Sequence, residues 1–426
     1  MASGVTALQE RQIHRVVLNN GIVVLATENP TADIISTRMF LRAGSRWETS
    51  DQAGISHLVA TVLTKGTDQL SSQDIAERVE SVGASLGTDA GTDYFLLSLK
   101  TVTSDFPDIL NLAGQLLRSA SFPEPEVELE RHLTLQAIRS QQEQPFTLAL
   151  DQFRQALYRH HPYALSPLGT FDSVSRLNRD ALVAYHQTYF RPDNLVISLC
   201  GRIAPEAAIA LIEETFGDWE KPASDLPYPL IPELDFAPAT VTRPLDTQQS
   251  IVMLGYPAAS VRHPDYATLK LLNTYLGNGL SSRLFVELRE KRGLAYEVSA
   301  FYPTRLDTSQ FAMYMGTAPD NTVIALEGMY QEIDRLRTTL LSDSELQSAK
   351  NKLLGQYALG KQTNAQVAHL VGWYEALGLG LEFDTQFQEQ VAAVTPEMAQ
   401  IAASQHFTTP YISLVGPPQA IGQIAP

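Results

Sequence analysis

The chain has one cysteine, Cys200, so no internal disulfide can form, and a reducing compartment fits that usage. It has no apolar run of membrane-spanning length: LVISLC and IVMLGY are strand-sized. The opening residues, MASGVTALQERQIHRVVL, lack the basic start and long apolar core of a secretory signal. A cytoplasmic protein without a membrane span is the expectation. Positive charge is also scarce. With 31 Lys and Arg against 47 Asp and Glu, the net charge of −16 speaks against nucleic acid as a partner and reads as solubility. No Ser/His/Asp or Cys/His arrangement points to nucleophilic catalysis. Cys200 lies in NLVISLCGRI and reads as a small core residue.

What remains is ordinary globular material. Hydrophobic residues make up 44% and charged residues 18% of 426 positions, too many for one core of usual size. Residues 221–245 carry six prolines, a density that neither a helix nor a central strand tolerates. The chain therefore divides into an N-terminal domain, 1–222, a Pro-rich linker, 223–245, and a C-terminal domain, 246–426. The halves are alike. LSSQDIAERVESVGASL from Leu70 and LSSRLFVELREKRGLAY from Leu280 share six of 17 positions at an offset of 210. Each follows an apolar helical stretch and precedes a strand-like run, DYFLLSLKTV or QFAMYMGTAP. A duplicated α+β unit follows, each copy with helices packed on a mostly antiparallel sheet.

The residues with chemistry in them are few. GISHLVATVLTKGT has helical spacing and a histidine, His57. A zinc helix of the inverted type reads H-x-x-E-H, with two ligands one turn apart and a carboxylate beside the second. Here Ala60 and Thr61 stand in the last two places. His160 and His161 are adjacent, so their side chains diverge, and no carboxylate or cysteine stands at ligand spacing. LGNGLSSRLF lacks the Gly-Lys-Ser/Thr of a phosphate loop and reads as a turn with an N-cap at Ser281 or Ser282. In VELREKRG, a charged solvated face with i,i+4 pairs is the bland alternative to a site.

Taken together, LNNGIVVLATENP, FLRAGSRWETSDQAGISHLVATVLTKGT, HHPYALSPLGTFDSVSRLNRDALVAYHQTYFRPDNLVISLCGRI and LSSRLFVELREKRGLAYEVSAFY resemble, in order and over nearly the whole chain, the pitrilysin-type zinc peptidases. That family includes insulin-degrading enzyme, mitochondrial processing peptidase and the bacterial two-subunit peptidases. The resemblance implies two similar α+β domains forming one half of a clamshell that closes around a peptide. In active members the two motif histidines and a later Glu hold zinc, and the motif Glu is the general base. Carried over, the first ligand is His57, the base position is Ala60, the second ligand position is Thr61, and the E-R-x-x-x-L-x-E-I pattern puts the third at Ala137. His132, five residues earlier and about 140° around a helix, is no substitute. This chain is therefore expected to bind no metal. The second half keeps L-R-x-x-x-G-L-x-Y, whose Arg289 and Tyr296 the resemblance implies reach the substrate at a zinc held by the other half-molecule. A guanidinium can grip a peptide carbonyl and a phenol can donate to an oxyanion. At the 210 offset their counterparts are Val79 and Leu86, so the shared fold does not impose the pair.

Three readings follow. In the first, the chain is the non-catalytic subunit of a zinc peptidase, active only with a zinc-bearing paralogous partner and acting on unfolded peptide. In the second, it is an inert scaffold or peptide-binding homologue that pairs with a second copy of itself. The third, an enzyme active alone through another site, has no motif behind it.

Overall fold

The computed structural model describes residues 12–422 and 424. They form two units. The first takes the chain up to Ile138, then Leu165–Ile231 and Ala358–Phe383; the second takes Arg139–Ala164, Pro232–Tyr357 and the chain from Asp384.

In the first unit, β1 (Ile13–Val17), β2 (Val23–Glu28), β3 (Ile35–Leu41), β4 (Ser85–Ala90), β5 (Phe95–Thr101) and β6 (Leu195–Gly201) form a sheet of order β1-β2-β6-β3-β5-β4. In the second, β7 (Thr240–Pro244), β8 (Ser250–Ala258), β9 (Glu297–Phe301), β10 (Ser309–Thr317) and β11 (Tyr411–Gly416) form one of order β7-β11-β8-β10-β9. Leaving β1 aside, the two sheets are the same object. Each has one parallel pair, β2 with β6 or β7 with β11, and is otherwise antiparallel. The duplication read from six identities is thus a duplication of topology. The last residues of the Pro-rich stretch, expected as linker, are β7 itself. An edge strand ending in Pro244 tolerates the missing N–H.

Both faces of the sheets are apolar because both are covered. On one face of the first sheet, Phe95, Leu97 and Leu99 meet the helix Phe106–Ser119 through Phe106, Ile109, Leu110, Ala113 and Leu117, the i, i+3, i+4, i+7 stripe of an amphipathic helix. On the other face, Phe40, Val196 and Cys200 meet Val367, Ala368 and Val371 of the helix Asn364–Ala376, which belongs to the later half of the sequence. The second unit mirrors this exchange. The helix Pro145–Tyr158, from the earlier half, lays Leu148, Ala149 and Phe153 on Ile251, Met253 and Tyr411. Each exchanged helix sits close enough to need a glycine. A Cβ on Gly372 would lie 2.5 Å from Phe40 Cε2, and one on Gly255 would lie 2.5 Å from Phe153 Cζ. Cys200 is fully buried, as a core residue should be. No helix among the described residues is long and apolar enough to cross a membrane.

Candidate functional site

His57 lies on the short helix Ile55–Val62, and a buried carboxylate anchors that helix. Glu48 accepts hydrogen bonds from Gly54 N at 2.8 Å and Ser56 N at 2.9 Å, and it meets the Ser56 hydroxyl in a third, short contact. These are the N–H groups a helix start leaves unpaired. Gly54 enters the helix at φ +93°, and a Cβ there would lie 2.5 Å from Leu168 O, so the residue is fixed as glycine. Burial pushes Glu48 up to about 7 despite the three donors.

His57 is half-buried, and desolvation lowers its pKa against opposing pulls from Asp89 on β4 and from Glu130. Glu130, on the helix Glu124–Gln141, pairs with Lys65 at 3.2 Å. Ala137 sits two turns further along the same helix face and is exposed. Ala60 is buried in the core, its carbonyl accepting from Thr88 Oγ1 at 2.5 Å. The Thr61 hydroxyl donates to Leu58 O at 3.0 Å. His132 is exposed and contacts Gln136 on its own helix. As a seat for catalytic zinc, which takes three protein ligands, this set does not fit. It offers one imidazole, two methyl groups and a hydroxyl bonded to its own helix. Nor do His57, Asp89 and Glu130 converge to replace it. Among the described residues, the one group of three His, Cys, Asp or Glu ligand atoms within 4.8 Å of one another lies elsewhere.

In the second unit, Arg289 stands in a π-helical segment, Phe285–Lys291, whereas the repeat counterpart Ser72–Glu80 is a regular α-helix. π-Helical turns are rare and concentrate at functional sites. Apolar residues pin this segment: Leu284 and Leu288 are fully buried, Leu294 is nearly so, and Leu294 N donates to Leu288 O at 2.9 Å across the turn at Gly293 (φ +63°). The neighbouring charges are spent on one another. Arg283 pairs with Glu287 at 2.9 Å and Glu332 at 2.7 Å, Lys291 pairs with Glu287 at 2.8 Å, and Arg292 donates to Gln331 at 3.1 Å. Arg289 is exposed and makes no ion pair among the described residues; its guanidinium lies 4.8 Å from the centre of the Phe285 ring. Tyr296 is 66% exposed and held by its backbone, N to Gly316 O at 2.9 Å, just before β9. Its hydroxyl has no hydrogen bond among the described residues.

The other tempting residues resolve as structure. His161 is buried, accepts from Tyr163 N at 3.0 Å and lies 3.6 Å from Asp307, while His160 is exposed. The N-cap expected at Ser281 or Ser282 is not made by a hydroxyl. Ser282 Oγ is buried without a partner, and Ser281 Oγ instead receives Lys352 Nζ at 3.5 Å.

Two family descriptions match this chain in succession: Insulinase (Peptidase family M16) over residues 23–170 and Peptidase M16 inactive domain over residues 176–353. The chain belongs to the M16 peptidase family. A Bacillus subtilis (strain 168) M16 relative, named Uncharacterized zinc protease YmxG, is 28% identical over 409 residues, covering 95% of this chain and 98% of its own length. The fold is that of two solved structures. One is a peptidase M16 inactive domain from Pseudomonas fluorescens (TM-score 0.89, 24% identity, 95% of this chain and 98% of that one). The other is a protease from Helicobacter pylori (TM-score 0.90, 21% identity, 96% and 100%). The relative named zinc protease ties this M16 chain to zinc enzymes, while the residues around His57 do not supply the three donors such a site takes. Sequence reasoning missed Glu48, Lys65, Asp89 and Glu130. ERHLTLQAIRS and GSRWE contain two of them, but nothing in one sequence tells a carboxylate turned to the His57 helix from one that faces solvent.

Proposed function

We propose that this chain is the non-catalytic subunit of a heteromeric zinc metallopeptidase that degrades or processes unfolded peptides in the cytoplasm. In this reading a paralogous partner holds the zinc, and this chain supplies Arg289 and Tyr296. The observation that carries the reading is an asymmetry. The first unit has lost the ligands and the base at Ala60, Thr61 and Ala137. The second still presents an exposed arginine and an exposed tyrosine on a segment anchored by Leu284, Leu288 and Leu294. Arg289 would grip a backbone carbonyl or terminal carboxylate in forked geometry, and the Tyr296 hydroxyl would donate to the oxygen that gains charge during attack. The lone buried Cys200 suits a reducing compartment.

The test is purification of the tagged chain from its native cells, with mass spectrometry and peptidase assays on what co-purifies. A stoichiometric partner carrying H-x-x-E-H, in a complex that cleaves unfolded peptide while the isolated chain does not, supports the proposal. Recovery of the chain paired with itself and inert supports the scaffold reading instead. Turnover by the isolated chain overturns both.

A further inference from the structure

Away from these residues, on the second unit, three donors from distant parts of the sequence converge. His263 and Asp265 lie just before the helix Tyr266–Gly277, and His406 ends the helix Pro396–His406. One ligand atom from each lies within 4.8 Å of the other two. His406 Nε2 is 2.9 Å and His263 Nδ1 is 3.7 Å from Asp265 Oδ2. Two features set the group apart from a routine surface ion pair. First, Asp265 occupies the N-cap position, yet its side chain makes no capping bond, so the carboxylate is turned to the histidines and not spent on its helix. Second, both imidazoles line an open cavity of about 490 Å³ bordered by Ser260, Asp307, Thr308 and Phe236, which leaves room for a further ligand beside them.

We propose that His263, Asp265 and His406 bind one divalent transition-metal ion of the zinc type, through one nitrogen of each imidazole and one carboxylate oxygen, with the remaining coordination open to the cavity. Two imidazoles and a carboxylate are the donors such ions prefer. Bonds of about 2.0–2.2 Å at tetrahedral angles put donor atoms ~3.4 Å apart. The observed 2.9 and 3.7 Å lie on either side of that value, and His263, with 47% of its side chain exposed, is free to close the rest. Binding replaces the hydrogen bond between His406 Nε2 and Asp265 Oδ2 and the bond from Asp265 N to His263 Nδ1 (3.1 Å). The bound ion clips together the start of one helix and the end of another, 141 residues apart. The inference is independent of the peptidase role.

The experiment uses the full, untagged chain, stripped with a chelator and titrated with Zn2+ by calorimetry, with Co2+ as a spectroscopic probe and thermal melting alongside. One equivalent bound, a Tm that rises with Zn2+ concentration, and affinity weakened more than about 100-fold in both His263→Gln and His406→Gln are expected, since even outer-shell changes reach that range. His406→Gln keeps an amide donor for Asp265, and His263→Gln changes an exposed residue, so at least one metal-free variant retains the parent Tm. Absence of stoichiometric binding overturns the site. So does binding that survives both substitutions, including binding lost only in His57→Ala.

Discussion

Glu48 provides a test of how the His57 helix is held. Its carboxyl is fully buried, and burial competes with three donors and the helix N-terminus, which favour the charged form. Burial wins: the pKa moves from an ordinary 4.5 to about 7. That displacement is worth ~3 kcal/mol. Because the folded pKa is the higher one, the favourable contribution is complete below pH 4.5 and is lost as pH rises through about 7. Glu48→Gln removes the titration but leaves its amide facing backbone donors, a pH-independent penalty of ~1–3 kcal/mol. Urea denaturation of parent and variant from pH 4.5 to 8 therefore separates the two effects. The parent should lose up to ~3 kcal/mol relative to the variant across that range. A flat difference would refute the assignment, and a parent that gains on the variant as pH rises would mean that the helix N-terminus, not burial, dominates.

Other consequences are equally concrete. Phe153→Ala empties a fully buried site against the second sheet and should cost ~3–5 kcal/mol in urea denaturation; a loss below ~1 kcal/mol would mean that the exchanged helix is not part of that core. Gly372→Ala gains ~1 kcal/mol of helix propensity but drives a methyl to 2.5 Å from Phe40, so net destabilisation is expected in thermal melts, and a stabilised variant would contradict the packing. The combined variant Ala60→Glu, Thr61→His and Ala137→Glu should acquire zinc in equimolar amount by elemental analysis; a triple variant that takes up none would move the third ligand position away from Ala137.

Much of the fold was legible because its signals are local. The apolar runs and the repeat offset depend on nearby residues, and β8 and β10 form on the runs IVMLGY and QFAMYMGTAP. What was not legible depends on which surfaces meet. Nothing in the residues of Pro145–Tyr158 or Asn364–Ala376 says that the helix packs on the sheet built from the opposite half of the sequence. β7 was hidden because the prolines before it and at its end read as linker, although an edge strand tolerates one at its end. At the site, that Ala60, Thr61 and Ala137 offer no zinc donor can be read directly, since the absence of a donor needs no geometry. By contrast, Glu130 beside His57, and His406 beside Asp265, join residues 73 and 141 positions apart, which no spacing rule reaches.

The most direct measurement of the central claim is the kcat/KM of the assembled complex carrying Arg289→Ala or Tyr296→Phe in this chain, with assembly checked by size-exclusion chromatography. A donor to a developing oxyanion is worth about 10²–10³ in rate, so a drop of that order for Tyr296→Phe, mainly in kcat, with the complex intact, is the predicted result. Unchanged rates in both variants, in a complex that still assembles, would contradict the claim that this chain completes its partner's site.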